Sequence, residues 1–99
     1  MSLRPDETDL VGKWVKDGNR IVADQVELRI GELIAHELKK IAVNPDAGGW
    51  EVLFRDPHDG RYWELTYPQS EMHGGGPKRL TSLSPTAAFA KYRLSNNEV

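Results

Sequence analysis

Two runs rich in aromatic and β-branched residues flank a short polar connection in the middle of the chain. They are Trp50-Glu51-Val52-Leu53-Phe54-Arg55 and Tyr62-Trp63-Glu64-Leu65-Thr66-Tyr67. Such runs read as strands. The connection, Asp56-Pro57-His58-Asp59-Gly60-Arg61, carries turn chemistry. Pro57 pre-sets φ, and Gly60 supplies the positive φ that Asp-Gly turns use. The spacing predicts an antiparallel hairpin with Arg55 opposite Tyr62. Phe54 then meets Trp63, Val52 meets Leu65, and Trp50 meets Tyr67. Side chains alternate along a strand, so these three pairs share one apolar face, expected to be buried. The other face carries Glu51/Thr66, Leu53/Glu64 and Arg55/Tyr62. A slip of one residue would exchange the faces and drive Glu64 into the core, so the register is well specified.

The chain has 99 residues, which suits one domain over 1–99, and a chain of this size buries roughly two thirds of its surface. Thirteen basic and fifteen acidic side chains leave a net charge of −2. That balance gives no reason to expect a nucleic-acid partner. There is no cysteine, so thiol chemistry is excluded and a cytoplasmic location is the expectation. The first ten residues are acidic and lack the apolar run of a signal peptide. No stretch is long and apolar enough for a membrane helix.

Residues 1–9 and 95–99 are polar and expected to be loose. Residues 10–15 read as the first ordered piece, with Trp14 as its anchor. Asp17-Gly18-Asn19 signals a turn into a return strand at Arg20-Ile21-Val22. Asp24 and Glu27 have the spacing of a capping box. Val26, Ile30, Leu33 and Ile34 follow at helical period. Residues 35–43 admit two readings. One ends the helix near Ala35 and adds a strand to Val43; the other continues the helix to Ala42. After Pro68 comes a loop with three consecutive glycines, Gly74 to Gly76, at least one of which should take positive φ. Residues 78–83 form a further strand. Ser84-Pro85 then opens a last helix whose Ala88, Phe89 and Tyr92 face the core. The fold class is α+β: an antiparallel meander of four to six strands, with one or two helices on one face.

Each set of chemistry-bearing residues also has a simpler role. His73-Gly74-Gly75-Gly76 is similar to an esterase oxyanion loop, but no serine sits on a Gly-x-Ser-x-Gly elbow. Glu71, His73, His58 and Asp59 lack a recognised metal-ligand spacing. Three histidines without a phosphate-binding cluster make a poor nuclease. No metal and no cofactor is implied, and no catalytic residue is assigned. The register leaves Tyr62 as a surface aromatic beside Arg55 and Glu64. The charged set Asp56, Asp59, Arg61 and Glu64 either recognises a partner or serves its own loop, with Asp56 closing its turn.

The run from Asp59 to Pro77, DGRYWELTYPQSEMHGGGP, with Leu10-Val11-Gly12-Lys13-Trp14-Val15, Arg29-Ile30 and Gly49-Trp50-Glu51 before it, resembles the immunity protein 27 family of bacterial polymorphic toxin systems. The resemblance extends from about Leu10 to Tyr92. Lys78 follows Pro77 where a second proline is expected, a departure confined to the loop. The resemblance implies a small cytoplasmic protein that binds and neutralises a cognate toxin without catalysis. The partner-binding residues expected on the polar face and loops are Arg55, His58, Asp59, Arg61, Tyr62, Glu64, Glu71 and His73. The acidic members would steer a basic toxin such as a nuclease. The alternative is a small enzyme or ligand-binding domain using Glu64, Glu71 and His73 around the glycine-lined loop. Convergence of those three in one concave pocket would favour it.

Overall fold

A computed structural model describes residues 3–44, 50–68 and 76–93. Its centre is the expected hairpin. Strand β5 (Val52–Arg55) pairs antiparallel with β6 (Tyr62–Thr66), placing Arg55 opposite Tyr62, Phe54 opposite Trp63 and Val52 opposite Leu65. Strand β7 (Arg79–Leu83) continues the meander beyond β6, and β1 (Asp9–Val11) closes that edge. Strand β4 (Lys39–Val43) forms the other edge, giving the order β1-β7-β6-β5-β4, antiparallel throughout. Strands β2 (Trp14–Asp17) and β3 (Arg20–Ala23) make a separate two-stranded ribbon across the expected turn. Trp14 is only half-buried in it. With helices α1 (Gln25–Glu32) and α2 (Pro85–Tyr92), the described residues form an α+β meander.

The two helices take opposite faces of the sheet, a correction to the expected single covered face. On the first face Phe54, Trp63, Leu65 and Leu80 pack with Ile30 and Leu33 from the helical side. On the second, Leu53 and Tyr62 pack with Ala88 and Tyr92, flanked by Ile41, Leu83 and Phe89. The hairpin's second face therefore needed a cover of its own, and α2 supplies it. Tyr62, expected at the surface, lies buried with its ring edge-on to Phe89, centroids 5.9 Å apart. Glu64 is 7% exposed on the same face. Its carboxylate accepts from the Tyr92 hydroxyl at 2.8 Å and pairs with Lys91 Nζ at 2.6 Å. Burial and this carboxylate both raise the pKa of Tyr92, so the phenol stays a donor. Trp50, expected in the core, is 50% exposed. It lies past the last paired residue of β5 and only edges onto Tyr67, at 5.2 Å.

The open segment at 35–43 resolves into helix, then strand. One π-helical turn, Leu33–Glu37, extends α1 past the expected end, and the Leu38 N–H closes it on the Leu33 carbonyl at 2.8 Å. A register shift at Ile41 lets consecutive residues Ile41 and Ala42 both pack on the α2 side.

Both helix starts follow the sequence. Ser84 Oγ accepts the Ala87 N–H at 3.1 Å, and Asp24 Oδ1 accepts the Glu27 N–H at 2.8 Å. Glu27 does not reciprocate. It turns inward and accepts from the Lys78 backbone N–H at 2.8 Å, with Lys78 Nζ at 3.3 Å. Its carboxylate thus ties α1 to the chain entering β7. Gly12 donates to the Lys78 carbonyl at 2.8 Å in the same place. A Cβ there would stand 2.5 Å from Glu27 Oε1 and 2.9 Å from the Lys78 oxygen. Gly76 has φ 76°, as one glycine of the loop should; Gly74 and Gly75 lie outside the described residues.

The N-terminal segment is held rather than loose over residues 3–9. Leu3 joins the first core, and the Ser82 N–H donates to the Thr8 carbonyl at 2.8 Å. Glu7 takes a two-point contact from the Arg29 guanidinium, with Nη2 to Oε1 at 2.7 Å. Fork-to-fork pairing of this kind is strong and directional.

Two outcomes are expected. Gly12→Ala must displace Glu27 or the Lys78 backbone, and should lower stability by roughly 1–3 kcal/mol in urea unfolding. An unchanged midpoint would show that the approach is not tight. The Arg29 hydrogen bond pulls the Glu7 carboxyl from 4.5 to about 2. The folded pKa lies below the unfolded one, so Glu7 stabilises fully above about pH 4.5 and loses that contribution as pH falls toward 2. Glu7→Gln should flatten the acid limb of the stability profile in that window. The same acid limb in both proteins would refute the assignment.

Candidate functional site

The turn between β5 and β6 gathers four of the eight residues expected to bind a partner. Asp56, 3% exposed, organises it. Its N–H donates to the Arg61 carbonyl at 2.9 Å, and its carbonyl accepts the Gly60 N–H at 2.7 Å. Its side chain accepts the His58 N–H at 2.9 Å. Gly60 sits at φ 79°, where a side chain would be strained. Asp56 serves its own turn, and the turn is shaped from within.

Arg61 fastens this corner to the rest of the molecule. Its Nε donates to Asp59 Oδ2 at 2.7 Å, while Nη1 and Nη2 donate to the carbonyls of Glu7 and Arg4 at 2.6 and 2.9 Å. The guanidinium carbon lies 4.9 Å from the centroid of the Trp63 ring. Desolvation acts to raise the Asp59 carboxyl pKa. Hydrogen bonds from the Arg61 backbone and guanidinium outweigh it, so Asp59 stays below its usual value and ionised. Arg61 is therefore an internal clasp between the turn and the N-terminal segment.

Arg55, His58 and Asp59 are exposed around this clasp. His58 Nε2 lies 3.5 Å from Glu37 Oε2, linking the turn to the end of the π-helical turn. Arg55 Nη2 lies 3.5 Å from the position of a Cβ on Gly60, so the guanidinium rests over the turn. Across the ladder from Arg55 stands Lys39, also exposed. Sequence reasoning missed Lys39 because a strand at 39–43 was one of two readings, and only the strand brings it opposite Arg55.

The remaining expected residues divide. Tyr62 and Glu64 sit behind the turn, sealed under α2, rather than on a face left free by the core. Glu71 and His73 lie outside the described residues. Glu64, one of the three groups the enzymatic alternative requires, has its carboxylate occupied by Tyr92 and Lys91. Among the described residues no group of three or more His, Cys, Asp or Glu could hold a metal ion. An open depression of about 510 Å³ runs along α1 beside Gln25, Val26, Leu28, Arg29 and Glu32, and none of the eight residues lines it. Among the described residues no helix is long and apolar enough to cross a membrane.

No curated protein matches the chain, and no solved structure does. A family model described as Immunity protein 27 matches residues 16–84. The match takes in the hairpin, its turn, α1 and β7. The chain belongs to the immunity protein 27 family.

Proposed function

We propose that this protein is an immunity protein that binds a cognate toxin domain in the cytoplasm and neutralises it stoichiometrically, with no reaction of its own. The observation that carries the reading is the family match over residues 16–84, which includes the whole β5–β6 corner. The corner's construction supports it. Binding is strongest where side chains are ordered before the partner arrives, since less entropy is then lost on association. Asp56 and Arg61 impose that order on the turn. The proposed contact residues are Arg55, His58 and Asp59. Arg61, Tyr62 and Glu64 hold them from behind, and Glu71 and His73 complete the set drawn from the sequence.

Co-expression with the toxin domain encoded beside this protein tests the role. Cells should survive only when both are made, and the purified pair should elute as a one-to-one complex. Survival without this protein, or no complex, would refute the proposal. Replacing a central anchor should weaken binding by about 2 kcal/mol, roughly thirtyfold. His58→Ala and Asp59→Ala in titration calorimetry are the first variants to measure. Full affinity in every such variant would move the interface off this corner.

Arg61→Ala separates the supporting role from direct contact. Losing the clasp should cost roughly 1.5–3 kcal/mol of stability, as for other hydrogen bonds to a charged group. Amide exchange over residues 3–8 should speed up with it. Unchanged exchange there would leave Arg61 as a contact residue alone.

A further inference from the structure

Several cations in the described fold have an acidic partner at the surface of the sheet or its loops. Arg4 and Arg29 share Glu7, Arg61 has Asp59, Lys78 has Glu27, Arg79 has Asp9, and Lys91 has Glu64 and Glu51. Lys39 and Arg55 are directly opposite each other in the β4–β5 ladder, both exposed, and neither forms an ion pair among the described residues. Lys13, Lys16, Arg20 and Lys40 also form no ion pair among the described residues, but only Lys39 and Arg55 bring two cations face to face across a ladder.

Like charges placed directly opposite across a ladder destabilise a sheet. Lysine on an edge strand has an ordinary explanation, since it discourages pairing with other chains. That accounts for Lys39 on β4, the edge of the sheet. It does not account for Arg55, which lies on the interior strand β5 and has an ordered setting over the Gly60 turn. An acid at position 55 would pair with Lys39 and serve the fold better.

We infer that Lys39 and Arg55 form a two-cation recognition site for a carboxylate-bearing surface of the bound toxin domain. This rests on the immunity reading and specifies the chemistry of its partner. It also reverses the polarity expected from the sequence, in which acidic residues steer a basic toxin. Asp59 and Glu64 are neutralised internally by Arg61 and Lys91, so the unneutralised charge presented by the β4–β5 pair is positive. An incoming carboxylate between the two cations would relieve their repulsion at the moment of binding. The site therefore contributes to encounter rate and register, the usual roles of complementary charge.

The test uses the full chain and the purified toxin domain encoded beside it, with association rates measured at about 0.05 and about 0.5 M NaCl. The wild-type rate should fall with salt. Arg55→Glu should slow association about tenfold at the lower salt, with the gap closing at the higher. Arg55→Glu should also raise the melting midpoint by about 2 °C, because it turns a repulsive cross-strand pair into an attractive one. Lys39→Glu places the acid on the other strand and should repeat both effects, which covers the case in which one variant folds poorly. Equal rates and equal salt slopes for wild type and both variants would overturn the inference while leaving the immunity reading intact. A slowing that salt does not attenuate would overturn it as well. Failure of the wild-type protein to form any complex would overturn both.

Discussion

The Phe54–Trp63 pairing sets which side of every central strand faces α1. Once those two residues point one way, alternation sends Leu53, Tyr62 and Glu64 the other way. Neither set can be left in water. Trp63 and Leu80 are fully buried on one side, and Leu53 and Ala88 on the other. The sheet is a central layer, and each helix is the cover for one of its faces. A helix as short as α2 would be marginal alone. Here it is held by a serine cap, by Tyr92 and Ala88 in the second core, and by Lys91 reaching Glu64.

Burying Glu64 is the least obvious consequence of that arrangement. A carboxylate in a core is costly unless its lone pairs are satisfied. Tyr92 and Lys91 both come from α2, so the helix that excludes water also supplies the partners. Removing either partner would leave a buried carboxylate incompletely satisfied, whereas the intact set fixes how α2 sits on β6. Glu27 plays a parallel part on the other side, joining α1 to the chain before β7 while Gly12 makes room. Glu7 with Arg29 does the same for the N-terminal segment. Three carboxylates thus act as internal ties between elements distant in sequence.

These ties decide what the β5–β6 corner presents at the surface. Arg61 and Asp59 look available in the sequence, but the structure commits them to each other and to the backbone of residues 4 and 7. What remains outward is Arg55 and His58, with Asp59 exposed but paired to Arg61, on a turn that cannot easily change shape. The order of the turn is set from within the chain, by Asp56 and Arg61.

The local pattern of residues determined the hairpin, its register, both helix starts and the positive-φ glycines, because alternation, capping and turn chemistry act over a few residues. It also carried the family resemblance, through the run from Asp59 to Pro77. Tertiary structure decided the rest. The fate of residues 35–43 depended on whether β5 offered a free edge, which no local propensity reports. Alternation places Tyr62 and Glu64 on the face opposite Phe54 and Trp63, yet their burial follows from where α2, about 25 residues later in the chain, comes to rest. Trp50 had the hydrophobicity of a core residue but fell beyond the last paired position of its strand. Arg61 and Glu7 are 54 residues apart and meet only in the fold. Alternation states which side a residue faces; whether anything covers that side is a long-range property, settled only when distant elements pack.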